Sequence, residues 1–275
     1  MGSSSSSKAK QRAAEARAKE EAAAKRRQRT INLIIGGVVA LAVLAIIFFA
    51  VQTAEDNKAI DKPNPDAVQP TGAIPAGDPN EFGIPYNKAA GKPVLAIWED
   101  FQCPACGAFE AAFGSTVKAI ADQGLAEVIV RSTSFLDANF PGQNSQRAAA
   151  AWGCAVDAGK TQEYLSIVYA NQPEEEGVGW TDEQLKAFGE QVGIKGEDKA
   201  TFDQCIADKT YMPWAANGTI AMAENQIGGT PGLVLNGEQL EQEAYASPDA
   251  LIATIEAAGG SSDADKSDKS DKSNE

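Results

Sequence analysis

Two cysteines three positions apart, Cys103 and Cys106, are the clearest candidates for chemistry in this 275-residue chain. At this spacing one thiolate can attack a substrate disulfide and the other can resolve the resulting mixed disulfide. The same two residues would also serve as a static disulfide or as half of a zinc site. The pair therefore indicates thiol–disulfide exchange, with those two structural uses as alternatives.

The residues on either side of the pair predict the elements that would position it. Residues 94–98 form an apolar run typical of a buried strand. A helix is predicted to follow, because Pro104 suits its first position and apolar residues then recur at helical spacing. Those apolar residues are Phe109, Phe113, Val117 and Ile120. Cys103 would then lie at the helix N-terminus, where free amides and the helix dipole lower a thiol pKa.

A second stretch, Gly229-Thr230-Pro231 ahead of a short apolar run, completes a recognisable pattern. Together with residues 100–106, which read DFQCPAC, it resembles the DsbA-like branch of the thioredoxin superfamily, in its membrane-anchored Gram-positive type. The resemblance implies an α/β thioredoxin-like fold and a cis peptide bond at Thr230-Pro231 beside the cysteines. A proline there leaves nearby backbone groups free to pair with an extended substrate, so we expect Thr230 and Pro231 to contact substrate.

The chain contains no histidine. This excludes Ser-His-Asp and Cys-His catalysis and any histidine-ligated zinc site, and we assign no metal ligand and no cofactor. The best-known DsbA-like motif has a histidine where Ala105 stands. Because that source of thiolate stabilisation is missing, the helix terminus around Pro104 and Ala105 has to supply more of it.

Glu99 and Asp100 are the carboxylates just before the pair in sequence. Either could carry a proton or hold a water near Cys106, whereas solvation or local capping is the favoured interpretation. Thioredoxin carries a buried acid six positions before its first cysteine, and Ile97 occupies that position here. We therefore treat Glu99 and Asp100 as supporting residues of the site.

Cys154 and Cys205 complete the set of four cysteines. Four cysteines allow three pairings, and pairing Cys103 with Cys106 leaves the other two together. We expect a structural disulfide between Cys154 and Cys205 on the oxidising side of a membrane, which the family resemblance also supports. A relay dithiol is the alternative, although these two lack the close CxxC spacing.

The first 51 residues indicate a membrane anchor. Residues 1–30 hold nine Lys or Arg against three Glu and predict a basic cytoplasmic segment. Residues 31–51 carry no charged side chain and have the length of a transmembrane helix. The basic flank would keep the N-terminus in the cytoplasm and place the rest of the chain outside the cell membrane. A cleavable signal peptide is the alternative, although no clear cleavage site follows.

The remaining chain divides into three predicted parts. Residues 52–80 are rich in Pro, Asp and Gly and predict a flexible stalk. Residues 81–260 would form the folded domain. Residues 261–275 repeat Asp-Lys-Ser and predict a disordered tail.

Inside the folded domain, the region of about 143–226 predicts four or five helices, the first capped by Ser145. That number exceeds a normal crossover between strands, so we predict an inserted helical subdomain. The sheet would resume at residues 233–235, turn at Asn236-Gly237 and continue as an edge strand over 238–243. A final helix would run from Pro248 to the two glycines at 259 and 260.

These features predict an extracytoplasmic thiol–disulfide oxidoreductase that introduces disulfide bonds into reduced exported proteins. The net charge of -14 argues against nucleic acid as a partner. The family resemblance implies that a membrane quinone-linked thiol oxidase reoxidises the cysteines. One alternative is a disulfide reductase or isomerase of the same fold, and the other is a non-catalytic, membrane-tethered binding module.

Overall fold

The computed structural model of this protein describes residues 63–270, with side chains described from 63 to 259. Five strands form one sheet: β1 (Ile84–Pro85), β2 (Val94–Asp100), β3 (Glu127–Thr133), β4 (Gly232–Leu235) and β5 (Glu238–Gln239). Their order across the sheet is β1-β3-β2-β4-β5. β2 and β3 run parallel, and the other neighbouring strands pair antiparallel.

The described residues also contain seven α-helices and two 3-10 turns. The helices are α1 (Pro104–Asp122), α2 (Asn144–Asp157), α3 (Thr161–Ala170), α4 (Asp182–Gln191), α5 (Gly196–Ala207), α6 (Met212–Glu224) and α7 (Pro248–Ser270). The 3-10 turns span Phe135–Ala138 and Gln242–Tyr245. Five of the helices, α2 to α6, lie between β3 and β4, where the sequence predicts the helical insert.

Residues of β2 divide between two hydrophobic clusters. Leu95 and Ile97 belong to the cluster formed with α1 and α7, which includes Ile120 and Leu251. Trp98 belongs to the other cluster, formed mainly with helices of the insert. Helices therefore cover both faces of a mixed sheet, which confirms the predicted α/β class.

The start of α2 differs from the sequence prediction, which places Ser145 at the cap. Gln143 is the N-cap residue and takes a left-handed backbone conformation. The Asp137 carboxylate accepts the N–H groups of Ser145 and Gln146, each at 2.9 Å. Because Asp137 supplies the capping acceptor, the Ser145 hydroxyl is available to bind elsewhere.

Residues 63–83 lie along the insert instead of forming a free stalk. The N–H of Asn64 donates to Oδ1 of Asn217 at 2.8 Å, and the Asn217 amide donates to the Asn64 carbonyl at 2.8 Å. The N–H of Thr71 donates to the Asp157 carboxylate at 2.8 Å. The predicted stalk therefore does not hold from residue 63 onward, because side chains of the insert satisfy the backbone of this polar segment.

The predicted basic segment 1–30, the predicted transmembrane helix 31–51 and the stalk residues 52–62 lie outside the described residues. Over residues 63–270, no helix combines the length and apolar character that a bilayer span requires. The membrane anchor therefore stays a prediction from the sequence.

The C-terminal elements depart from the sequence prediction in two places. β5 has only two residues, because a 3-10 turn begins at residue 242 within the predicted strand 238–243. α7 continues through Gly259 to Ser270, although the sequence predicts disorder from residue 261. A glycine ends a helix when it adopts a left-handed conformation, and Gly259 does not adopt one.

Cys154 of α2 and Cys205 of α5 form a disulfide across a sequence separation of 51 residues. Replacing both with serine should lower the free energy of unfolding by roughly 2–4 kcal/mol, because the bond restricts the unfolded chain. Urea denaturation measures this loss. A Cys103→Ser, Cys106→Ser variant is the control, since it keeps the Cys154–Cys205 bond. Equal stability of the two variants would contradict the structural role.

Candidate active site

Cys103 is the N-cap residue of α1, in the turn that follows β2. Its N–H donates to the Asp100 carbonyl at 2.9 Å, and its carbonyl accepts the N–H of Gly107 at 3.1 Å. Cys103 keeps 8% of its surface exposed, whereas Cys106 keeps none. The first sulfur is therefore the one that a substrate can reach.

Thr230 and Pro231 lie beside Cys103, and their peptide bond is cis. The Cys103 Sγ lies 3.5 Å from the Thr230 carbonyl oxygen, to which a thiol would donate. Gly228 and Gly229 precede Thr230 and Pro231, and a Cβ on either would meet nothing within 4 Å. The two residues ahead of Thr230 therefore have open space around them.

The surroundings of Cys103 stabilise its thiolate. The hydrogen bond from Cys106 makes the largest contribution, and together with donors from Thr230 and the amides of Ala105 and Cys106 it outweighs burial and lowers the Cys103 pKa from 9.0 to about 5. From the sequence, the helix terminus alone is expected to lower the Cys103 pKa. The structure adds the second cysteine as the stronger donor.

Cys106 is held in the opposite protonation state. Burial raises its pKa well above the ordinary value, and its hydrogen bond to Cys103 and the nearby Glu99 carboxylate raise the pKa further. The site therefore pairs an accessible thiolate with a buried thiol. This combination suits Cys103 to act as the nucleophile and Cys106 as the resolving group in thiol–disulfide exchange.

Glu99 and Glu110 are neighbouring carboxyl groups close to the dithiol, Glu99 buried and Glu110 half-buried. Glu99 is 2% exposed, and neither of its oxygens has a donor among the described residues. Burial raises the pKa of Glu99 well above 4.5, and the Glu110 carboxyl raises it further. Burial also raises the pKa of Glu110. Two neighbouring carboxyl groups can share a hydrogen bond only when one carries a proton, and both raised pKa values favour a protonated form, so this pair is a candidate proton donor to Cys106.

The prediction that water solvates Glu99, one of the two favoured interpretations, is wrong. β2 continues to residue 100, two residues beyond the apolar run, and thereby carries Glu99 into the protein interior. The sequence reasoning did not identify Glu110. Its signal is the spacing, because residues four positions apart share a helix face and Glu110 is four positions after Cys106.

Asp100 is fully buried and organises the turn that carries Cys103. Its carboxylate accepts the Gln102 N–H at 2.9 Å, the Leu136 N–H at 3.1 Å and the Ser145 hydroxyl at 2.5 Å. Burial raises the Asp100 pKa from 3.8 to about 7 despite these donors. Of the two roles predicted for Asp100, local capping agrees with these contacts, whereas solvation does not. The Ser145 contact depends on the α2 cap that the sequence analysis misplaced.

The acidity of Cys103 gives a direct prediction. Alkylation of the reduced protein by iodoacetamide should follow the thiolate fraction, with a midpoint near pH 5 instead of the ordinary 9.0. The lowered pKa also favours the reduced folded state, increasingly as the pH rises from about 5 toward 9. That contribution is lost as the pH falls through 5. Mass spectrometry locates the label, Cys103→Ser is the control, and a midpoint above pH 8 would contradict the site.

One sequence comparison identifies a family and the other finds no match. A family model described as thioredoxin matches residues 85–257. No curated protein shows significant sequence similarity to the chain.

Several solved structures are similar to the chain. Oxidised DsbA from Mycobacterium tuberculosis is 25% identical, with a TM-score of 0.52 over 70% of this chain and 91% of that one. Reduced DsbG, a disulfide bond oxidoreductase from the same organism, is 26% identical, with a TM-score of 0.52 over 70% and 88%. Oxidised BdbD from Bacillus subtilis is 19% identical, with a TM-score of 0.55 over 70% and 97%, and shares the fold.

Proposed function

This chain belongs to the thioredoxin family and is a thiol–disulfide oxidoreductase, and we propose that it introduces disulfide bonds into exported proteins. The observation that carries the proposal is the contrast between the two active-site cysteines. Cys103 is an accessible, acidic thiol beside a cis-proline loop, and Cys106 is a buried thiol. Stabilising the Cys103 thiolate stabilises the reduced enzyme, which makes the oxidised enzyme a better oxidant.

The first step begins with a disulfide between Cys103 and Cys106. A substrate thiolate attacks Cys103 Sγ, a new sulfur–sulfur bond forms, and the bond to Cys106 breaks. Cys106 leaves with the electron pair as a thiolate. Because its buried site disfavours that charge, Cys106 takes up a proton, which the Glu99 and Glu110 pair supplies.

The second step releases the product. A second substrate thiolate attacks the substrate sulfur of the mixed disulfide, and Cys103 leaves as the stabilised thiolate. The substrate has then lost two electrons and gained a disulfide, and the enzyme holds a reduced dithiol. A partner has to accept those two electrons, and a membrane quinone-linked thiol oxidase is the class that the family resemblance suggests.

Substrate binding is assigned to the loop that contains Thr230 and Pro231. The open space around Gly228 and Gly229 supports this assignment, because an extended peptide can approach the dithiol there without displacing side chains. Backbone pairing of this kind tolerates many sequences. Such tolerance suits an enzyme that acts on many unfolded exported proteins.

The proposed location is the outer face of the cell membrane. The basic segment 1–30 and the apolar segment 31–51 support a single-pass anchor with a cytoplasmic N-terminus. The Cys154–Cys205 disulfide supports an oxidising compartment for the folded domain.

The test is an oxidation assay with the full-length protein. Oxidised enzyme should convert reduced, denatured ribonuclease A to the active, disulfide-bonded form and become reduced in equal amount. A reductase would instead reduce insulin with dithiothreitol and leave ribonuclease largely reduced. A binding module would do neither, and either of these results would overturn the proposal.

A further inference from the structure

Gln172 is a residue of the insert that reaches the active-site turn. It follows the C-cap residue of α3, Asn171. Its side-chain Nε2 donates to the Phe101 carbonyl at 2.8 Å and to the Cys103 carbonyl at 3.0 Å. A single amide group therefore ties the insert to the turn that carries the nucleophilic sulfur.

Gly107 makes this approach possible. A Cβ at position 107 would lie 2.4 Å from Gln172 Oε1 and 3.2 Å from its Cδ, too close for the amide to keep its place. Glycine weakens a helix interior relative to alanine, so helix propensity does not explain a glycine in α1. The close approach of the Gln172 amide explains why position 107 is a glycine.

We propose that Gln172 is a positioning residue, which holds the Phe101 and Cys103 carbonyls so that the first amides of α1 stay aimed at Cys103 Sγ. This inference rests on the proposed function, because it concerns the same sulfur. Gln172 acts through the backbone of the turn. Its removal should therefore change the chemistry of Cys103 without removing any group that reacts.

The path from Gln172 to the sulfur is short. The Cys103 carbonyl that Gln172 binds also accepts the N–H of Gly107, which closes the first turn of α1. The amides of Ala105 and Cys106 in that turn stabilise the Cys103 thiolate. Loosening the carbonyl would therefore misalign the donors that face the sulfur.

The insert also holds the turn through a side chain. Phe101 stacks on Tyr169 of α3 with ring centroids 5.1 Å apart, and it meets Trp152 of α2 edge to face at 6.1 Å. The Phe101 ring would stay packed if only the Gln172 amide were lost. The effect of Gln172 on the backbone can therefore be separated from the packing of the insert.

Two single substitutions remove the contact from opposite sides. Gln172→Met keeps the length of the side chain but has no donor, and Gly107→Ala displaces the amide while leaving Gln172 in the chain. Each removes both hydrogen bonds of the Gln172 amide and should raise the midpoint of Cys103 alkylation by about one pH unit, the size expected when one amide donor to the thiolate is weakened. The double variant should shift no further than the larger single shift, because both changes break one contact.

The other side chains that act on Cys103, namely Cys106 and Thr230, are unchanged in all of these variants. Gln191→Met on the exposed end of α4 is the matched control and should leave the midpoint unchanged. Circular dichroism checks folding, and Gln172→Leu, which has a similar volume, no charge and no donor, replaces any variant that does not fold.

The inference is overturned if folded variants keep the original midpoint or if the two single shifts add. A midpoint near pH 9 in the unsubstituted protein would instead overturn the proposed function, so the two failures are distinguishable.

Discussion

Replacing Cys106 with serine should trap substrates on the enzyme. The Cys103 thiolate would still attack a protein disulfide, but no second enzyme thiol would remain to resolve the mixed disulfide. Catalytic disulfide exchange should fall by a factor of about 10³ or more, as expected when a group essential to covalent catalysis is lost. Non-reducing electrophoresis and mass spectrometry with a disulfide-bonded test protein would show an adduct on Cys103 that dithiothreitol removes.

The reciprocal variant is the control for that experiment. Cys103→Ser leaves Cys106 as the only active-site cysteine. Its burial and raised pKa make Cys106 a poor nucleophile. No adduct should therefore form. Equal trapping on either cysteine would contradict the assigned roles, and trapping on neither would indicate a structural pair.

Replacing Glu99 with glutamine should slow the steps in which Cys106 gains or loses a proton. The Glu99 and Glu110 pair is the proposed proton donor to Cys106, and general acid–base groups contribute about 10²–10⁴-fold to rates. We expect reduction of the Cys103–Cys106 disulfide by dithiothreitol to slow by about 10²-fold at pH 7. Rapid acid quenching followed by alkylation measures this rate.

The same substitution should change how stability depends on pH. Burial raises the Glu99 pKa above 4.5 in the folded chain, so the folded state retains a proton that the unfolded state releases. Stability is therefore lost as the pH rises from about 4.5 through the folded pKa. Glu99→Gln removes that loss. The free energy of unfolding of the variant should therefore exceed that of the original protein by an amount that grows with pH.

Substitutions of two further glutamates complete this experiment. Glu110→Gln should also slow the reaction, because it removes the partner that shares the proton. Exposed Glu190→Gln on α4 is the matched control and should change neither rate nor stability. An unchanged rate and an unchanged pH profile in Glu99→Gln would rule out the pair as the proton donor.

The local elements of the site could be predicted from the sequence because their signals are local. An apolar run, a proline and helical periodicity define β2 and α1, and together they place Cys103 at a helix N-terminus. The helical character of the insert is also a local signal, and the capping box of Thr181 and Gln184 at the start of α4 is an example. These patterns involve residues within one or two turns of each other.

The parts that the sequence did not reveal depend on contacts between distant segments. Glu99 is buried because β2 extends past its apolar run, and Ser145 binds Asp100 because Asp137 caps its helix. The contact between Gln172 and Cys103 joins residues 69 positions apart. No local pattern marks such pairs. The close approach of Gln172 explains in retrospect why α1 contains Gly107.

The reduction potential of the Cys103–Cys106 couple tests the central claim most directly. It can be measured by equilibrating the full-length protein with glutathione buffers and alkylating the free thiols. A Cys103 thiolate stabilised as described here predicts a potential well above the value of about -270 mV for thioredoxin. A potential at or below that value would contradict a disulfide-introducing enzyme.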